Sequence, residues 1–251
     1  MSLLSPRLRI ALTPGRVAVA SGRDYRDADV AAPGWAGALE ALSGLLAGSG
    51  LSGRASVTLS HHFAPVHLLS SPPVALKPVE MQGWIRDFLA RQFGEAGRDL
   101  QVTWQAEPPG EPFLVSSLEP ARLAELEGVL RAASIKPDAV QPWLVVAWNR
   151  QRRRLGRSRA WFALVEPGRL TLAGLQGGRV HSLRSSLMQG DAVAALADLL
   201  TREALLAGEA TPAPLWVESV LPALNWQGVA GGRSVNSLPI GREALSALLG
   251  N

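Results

Sequence analysis

Chemistry-bearing side chains gather in four places along this chain. His61, His62 and His67 lie in or just after a predicted strand, with His61 and His67 of the same parity. Zinc would need a third or fourth ligand converging from elsewhere, and neither an H-E-x-x-H motif nor a Cys pair supplies one. No metal is expected. Gly48, Gly50 and Gly53 match G-x-G-x-x-G, but a dinucleotide fingerprint needs a strand before it and a helix N-terminus after it, where backbone N–H groups meet the pyrophosphate. Here a helix precedes and a strand follows, so the segment reads as a helix C-cap and loop. The run from Arg150 to Arg159 is the densest charge on the chain. It suits lipid phosphates or nucleic acid, and its plainer reading is a solvated loop. The fourth place is a pair of corners, Thr13-Pro14-Gly15 and Glu166-Pro167-Gly168. No G-x-x-x-x-G-K-[ST] or G-x-S-x-G occurs, which removes P-loop and serine-elbow chemistry, and no Ser/His/Asp arrangement stands out.

The elements that position these residues follow from composition and period. With 251 residues, 47% hydrophobic and 18% charged, the chain can bury a large core as one domain or two lobes, and a disordered chain is excluded. With no cysteine, disulfide frameworks, thiolate zinc sites and iron–sulfur clusters are excluded too. The net charge is +4, and nearly all the basic residues are Arg, with Lys only at 77 and 136. That balance bears on solubility and weak attraction to anionic surfaces. The uncharged stretch from Ala55 to Leu76 holds three His and three Pro, so no membrane span is expected there. The N-terminal segment, Met1 to Arg7, shows no secretory h-region.

The chain repeats itself. Ala11-Leu-Thr-Pro-Gly-Arg-Val-Ala-Val-Ala20 and Ala163-Leu-Val-Glu-Pro-Gly-Arg-Leu-Thr-Leu-Ala173 differ by one inserted residue. Each is an alternating strand, Pro-Gly, and a second alternating strand; Pro presets the first corner of a type II turn and Gly takes the positive φ after it. In the first half a polar segment from Arg23 to Val30 leads to a helix from Trp35 to Ala47 and a strand from Ala55 to Ser60. In the second half a strand from Gly178 to Arg184 leads to a helix from Asp191 to Ala207 and a strand from Pro214 to Val220. The result is a duplicated α/β unit.

Between the copies, Met81, Trp84, Ile85, Phe88 and Leu89 form a helical stripe. Segments from Leu100 to Gln105 and from Pro112 to Ser117 flank Pro108-Pro109-Gly110 as a hairpin, expected at a sheet edge. Ser117 is expected to cap the next helix, whose buried stripe is Leu123, Leu126 and Leu130. Pro142 to Asn149 reads as a connecting helix. Trp84, Trp104, Trp161 and Trp216 fall in stripes or strands, where packing explains them better than base stacking.

This layout resembles the actin-like fold, a duplicated ribonuclease H-like α/β architecture of two lobes with mixed sheets. More narrowly, the stretch from Leu123 to Asn149, followed by Arg159-Ala-Trp-Phe-Ala-Leu-Val-Glu-Pro-Gly and Leu170-Thr-Leu-Ala-Gly-Leu-Gln-Gly-Gly-Arg-Val, resembles the PilM proteins of type IV pili and the cytoplasmic domain of type II secretion GspL proteins. The resemblance implies one lobe over residues 1–141 and a second over 142–251, with 142–150 as the connecting helix. Actin-like ATPases carry an acidic D-x-G type turn in each hairpin. Here the first corner lacks a carboxylate, Pro removes an N–H from each, and the late glycine pair is absent from Trp216-Val-Glu-Ser-Val220.

Gly15, Glu166 and Gly168 therefore mark a vestigial nucleotide pocket. No catalytic residue and no cofactor is expected, ATP included. The resemblance implies a non-catalytic cytoplasmic scaffold at the inner face of the inner membrane, peripheral to it. Its partner would be the cytoplasmic segment of a bitopic PilN-like protein, with the assembly ATPase as a further contact and no specific nucleic acid. Two other readings stay open: a kinase-type, ATP-dependent enzyme on the same fold, and a basic module for nucleic acid or anionic surfaces using Arg150 to Arg159.

Overall fold

The computed structural model describes residues 8–105, 107–221 and 224–238. The N-terminal segment read above for a leader and residues 239–251 of the expected second lobe lie outside them. The chain divides into two compact units, Met1–Val146 and Ala147–Asn251. The first runs β1 (Leu8–Leu12), β2 (Arg16–Ser21), β3 (Asp24–Asp29), α1 (Trp35–Leu46), β4 (Gly53–Leu59), β5 (Val66–Leu69), α2 (Pro78–Phe93), β6 (Gln101–Trp104), β7 (Phe113–Leu118), α3 (Pro120–Ala132) and β8 (Ile135–Pro142). Helix α4 (Trp143–Leu155) spans the division. Beyond it come β9 (Ala160–Glu166), β10 (Arg169–Gln176), β11 (Arg179–Leu187), α5 (Ala192–Leu206), β12 (Leu215–Ser219) and β13 (Val235–Ser237).

The duplication holds in three dimensions. One sheet orders its strands β3-β2-β1-β4-β8 and the other β11-β10-β9-β12-β13. In each, an antiparallel hairpin is followed by a helix and a strand that returns parallel to the first strand of the hairpin, β4 beside β1 and β12 beside β9. Period 2 sets the faces. Leu8, Ile10 and Leu12, with Val17, Val19, Ala55, Val57 and Leu59, meet α1 and α3 in one core. Trp161, Ala163 and Val165, with Leu170, Leu172, Leu215 and Val217, meet α5 in another. The remaining strands form a separate small sheet, β5-β7-β6, on which Ile85 and Leu89 of α2 pack against Phe113 and Val115.

Four expectations need correction. The polar segment after the first hairpin is a strand: Asp24–Asp29 pairs with β2 along its length, so both halves hold three antiparallel strands. Its polarity reflects its place at a sheet edge with one face in solvent. Secondly, the arginine run is not a loop throughout. Helix α4 continues to Leu155, because Trp143, Ala147, Gln151 and Leu155, four residues apart, are all buried and Arg is a good helix former. Thirdly, Gly15 does not enter the left-handed region, whereas Gly168 does, at φ 75°. Only the second corner has the expected turn. Fourthly, Ser117 ends in β7 and does not cap α3, whose N-cap is Glu119, with Pro120 at its first position. The hairpin of β6 and β7 forms as read, with β6 at the edge and β7 central.

Gly48 and Gly50, between α1 and β4, and Gly53, which opens β4, all have positive φ, as a helix-ending loop requires. Among the described residues no helix is long and apolar enough to cross a membrane.

Candidate functional site at the hairpin corners

The two corners belong to different units, and each is built from its own residues. At the first, Thr13 does the turning. Its amide donates to the Arg16 carbonyl at 2.9 Å, its hydroxyl donates to the same carbonyl at 2.8 Å, and the Arg16 amide donates back to the hydroxyl at 3.0 Å. Pro14 has no N–H. Among the described residues, the Gly15 amide is the one amide of the corner left for an incoming anion. The carbonyls are engaged as well: Val30 donates to Gly15 O at 2.9 Å and Gly34 to Pro14 O at 3.0 Å. The nearby cation, Arg16, ion-pairs with Asp27 and lies 3.6 Å from Asp29. A phosphate cradle needs converging free N–H groups, and this corner has spent most of its own.

The second corner is shorter. Glu166 and Arg169 face each other across Pro167 and Gly168, and Met188 donates to Gly168 O at 2.9 Å. Glu166 is almost fully buried, at 1% exposure. On the sheet face away from the Val165 and Leu172 core, Leu164 is flanked by Thr171 of β10 on one side and Glu218 of β12 on the other. Glu218 is also 1% exposed. Two buried carboxylates thus share one face near the corner, with the buried Thr171 hydroxyl, which has no hydrogen-bond partner among the described residues. Arg150 of α4 forms an ion pair with Glu218.

That pair places a guanidinium of the protein's own on one of the two buried carboxylates of this face. Among the described residues no group of three or more His, Cys, Asp or Glu converges as a metal site. The structure therefore places Gly15 on one corner, Glu166 and Gly168 on the other, and adds a partner pair that the sequence reading passed over. The signal was present: in Leu215-Trp-Val-Glu-Ser219 the alternation turns Glu218 to the face opposite Leu215 and Val217, where a lone carboxylate in an apolar strand needs a cation.

The histidines do not converge. His61 is buried just after β4, and His62 follows it. His67 lies on β5, its Nε2 3.2 Å from the Ser117 hydroxyl and its ring 5.4 Å from that of Phe93. Burial pushes the His67 imidazole below its ordinary value. Beside it, Phe63, Phe93, Leu100, Leu118 and Arg122 line an open cavity of about 370 Å³ in the first unit, with Phe93 46% exposed.

No protein-family model and no curated protein matches the chain. Solved structures do. The cytoplasmic domain of EpsL, an inner-membrane component of the type II secretion system of Vibrio cholerae, is 17% identical, with TM-score 0.63 over 97% of this chain and 93% of that one. A PilM–PilN type IV pilus biogenesis complex is similar at 12% identity and TM-score 0.67, over 96% of this chain and 89% of that one. A Bacteroides thetaiotaomicron protein described as having an actin-like ATPase fold and unknown function matches at 11% identity and TM-score 0.65, over 98% and 95%. The fold of this chain is actin-like, α/β with mixed sheets.

Proposed function

We propose that this chain is a non-catalytic docking scaffold on the cytoplasmic side of a type II secretion or type IV pilus assembly platform in the inner membrane. The observation that supports the non-catalytic part is the Arg150–Glu218 pair, in which a guanidinium of the protein's own engages a buried carboxylate near the second corner. The corners, each short of one N–H through Pro14 and Pro167, point the same way. Support for the platform comes from the likeness, over nearly the whole chain, to EpsL's cytoplasmic domain and to a PilM–PilN complex.

In this reading the partner is the cytoplasmic segment of a bitopic PilN-like protein. The concavity around Phe93 and Arg122 is the surface we assign to it, because an exposed aromatic ring beside Phe63, Leu100 and Leu118 suits a short apolar segment. The assembly ATPase is a second partner in the same reading, at a surface not assigned.

Two measurements test this. Titration calorimetry with magnesium–ATP gives no heat and leaves the melting temperature unmoved; a saturable heat or a shift of several degrees overturns the non-catalytic reading. Immobilised cytoplasmic segments of neighbouring bitopic inner-membrane proteins retain the chain, and Phe93→Asp releases it. If none of them retains it, the docking reading fails.

A further inference from the structure

The arginines that the buried pair does not use collect with two leucines at one end of the second unit. Four strand termini meet there: Ala160 pairs with Leu175, Trp161 with Leu215, and Gln176 with Arg179. This end of the sheet is opposite the Pro167–Gly168 corner. The last turn of α4 brings Arg152, Arg153 and Arg154, all exposed. A loop turned by Gly156, at φ 63°, then delivers Arg157 and Arg159. Gly177 donates to Arg157 O at 3.0 Å, which ties the loop to the turn between β10 and β11. The Arg159 guanidinium donates to Ala207 O at 2.8 Å and holds the C-terminus of α5 beside it. There Leu205 and Leu206 are 76% and 70% exposed.

The carboxylates near this end are occupied. Glu203 meets Arg184 and Arg202, and Glu209 meets Arg233 and the Trp161 indole. Among the described residues, none of Arg152, Arg153, Arg154 and Arg157 has an acidic partner. The result is a field of uncompensated positive charge with two bare leucines at its margin.

We propose that this end of the second unit is a membrane-surface patch, in which the arginines lie on anionic phospholipid headgroups and Leu205 and Leu206 enter the interface. It rests on the scaffold reading, for which it supplies the face turned to the bilayer. Each basic residue near an anionic leaflet contributes on the order of 1 kcal/mol, a contribution that salt screens. Burial of the leucines adds an attraction that salt does not screen. Nucleic acid fits less well: single strands call for aromatic stacking surfaces, and apolar leucines gain nothing beside a phosphate backbone.

Sedimentation with vesicles of phosphatidylcholine, alone or mixed with phosphatidylglycerol, tests it. The chain sediments with the mixed vesicles and not with phosphatidylcholine alone. Replacing Arg152, Arg153, Arg154 and Arg157 together by Ser weakens binding roughly a hundredfold or more, as loss of four such contacts requires. Leu205→Ser with Leu206→Ser weakens it several-fold and removes most of what persists in high salt. The proposal is overturned if wild type does not distinguish the two vesicles, if the four-arginine variant binds as wild type does, or if duplex DNA displaces the vesicles with the same arginine dependence. These residues are exposed, so unchanged melting temperatures check that the variants fold. The four-arginine variant keeps its retention on the partner segment; loss of partner binding in wild type with vesicle binding intact would count against the scaffold reading alone.

Discussion

The guanidinium of Arg150 on α4 closes an ion pair with the carboxylate of Glu218 on β12, across 68 residues of sequence. One partner is almost wholly buried and the other keeps 20% of its side chain exposed. A buried carboxylate left alone is costly, while removal of both charges is far less so. Arg150→Ala should therefore lower stability by about 3 kcal/mol, read as a fall in urea midpoint with unchanged slope. Arg150→Met combined with Glu218→Met should recover most of that loss. A single variant as stable as wild type would mean that the pair does not hold α4 to the sheet.

His67 gives a pH dependence with a definite sign. Its partners are the Ser117 hydroxyl and the Phe93 ring, and burial lowers its affinity for a proton in the folded state. The unfolded chain thus binds a proton that the folded chain resists, so stability rises with pH across that interval. The contribution is complete above the ordinary value of 6.5 and is lost progressively as pH falls below it. Melting temperatures of wild type and His67→Gln, compared from about pH 7 to about pH 5, should diverge, the variant flattening the decline. Parallel curves would refute it.

Two glycines of α1 should respond in opposite directions to the same change. A methyl group on Gly37 would lie 2.0 Å from Ala32 O and 2.9 Å from a Val30 methyl, whereas one on Gly44 would meet nothing within 4 Å. Gly44→Ala should stabilise by up to about 1 kcal/mol through helix propensity alone. Gly37→Ala should destabilise by about 2 kcal/mol, because the chain that enters α1 must move aside. Denaturant melts of the two variants settle the comparison.

Much of the fold was legible in the residues. The paired Pro-Gly corners and the alternation around them gave the duplication with α1 and α5, and the helical stripes gave α2 and α3. The third strand of the first half was missed because Asp24-Tyr-Arg-Asp-Ala-Asp29 pairs through its backbone while its side chains stay largely polar at an edge. The reach of α4 was missed because arginines at 152, 153 and 154 masked the stripe from Trp143 to Leu155. Ser117 had the right type for a cap, but its hydroxyl serves His67 on a neighbouring strand, a contact 50 residues away that no local rule reports.

By itself the sequence determined most of the elements, their repetition, the missing carboxylate at the first corner and the missing N–H at each, and the absence of thiol chemistry, since each depends only on residue type and near neighbours. The tertiary structure decided the pairings: Arg150 with Glu218, His67 with Ser117, and Arg159 with the end of α5 that brings bare leucines to the basic loop. Those depend on which strands lie side by side and in what register, and register is fixed by burial of whole faces rather than by any local motif.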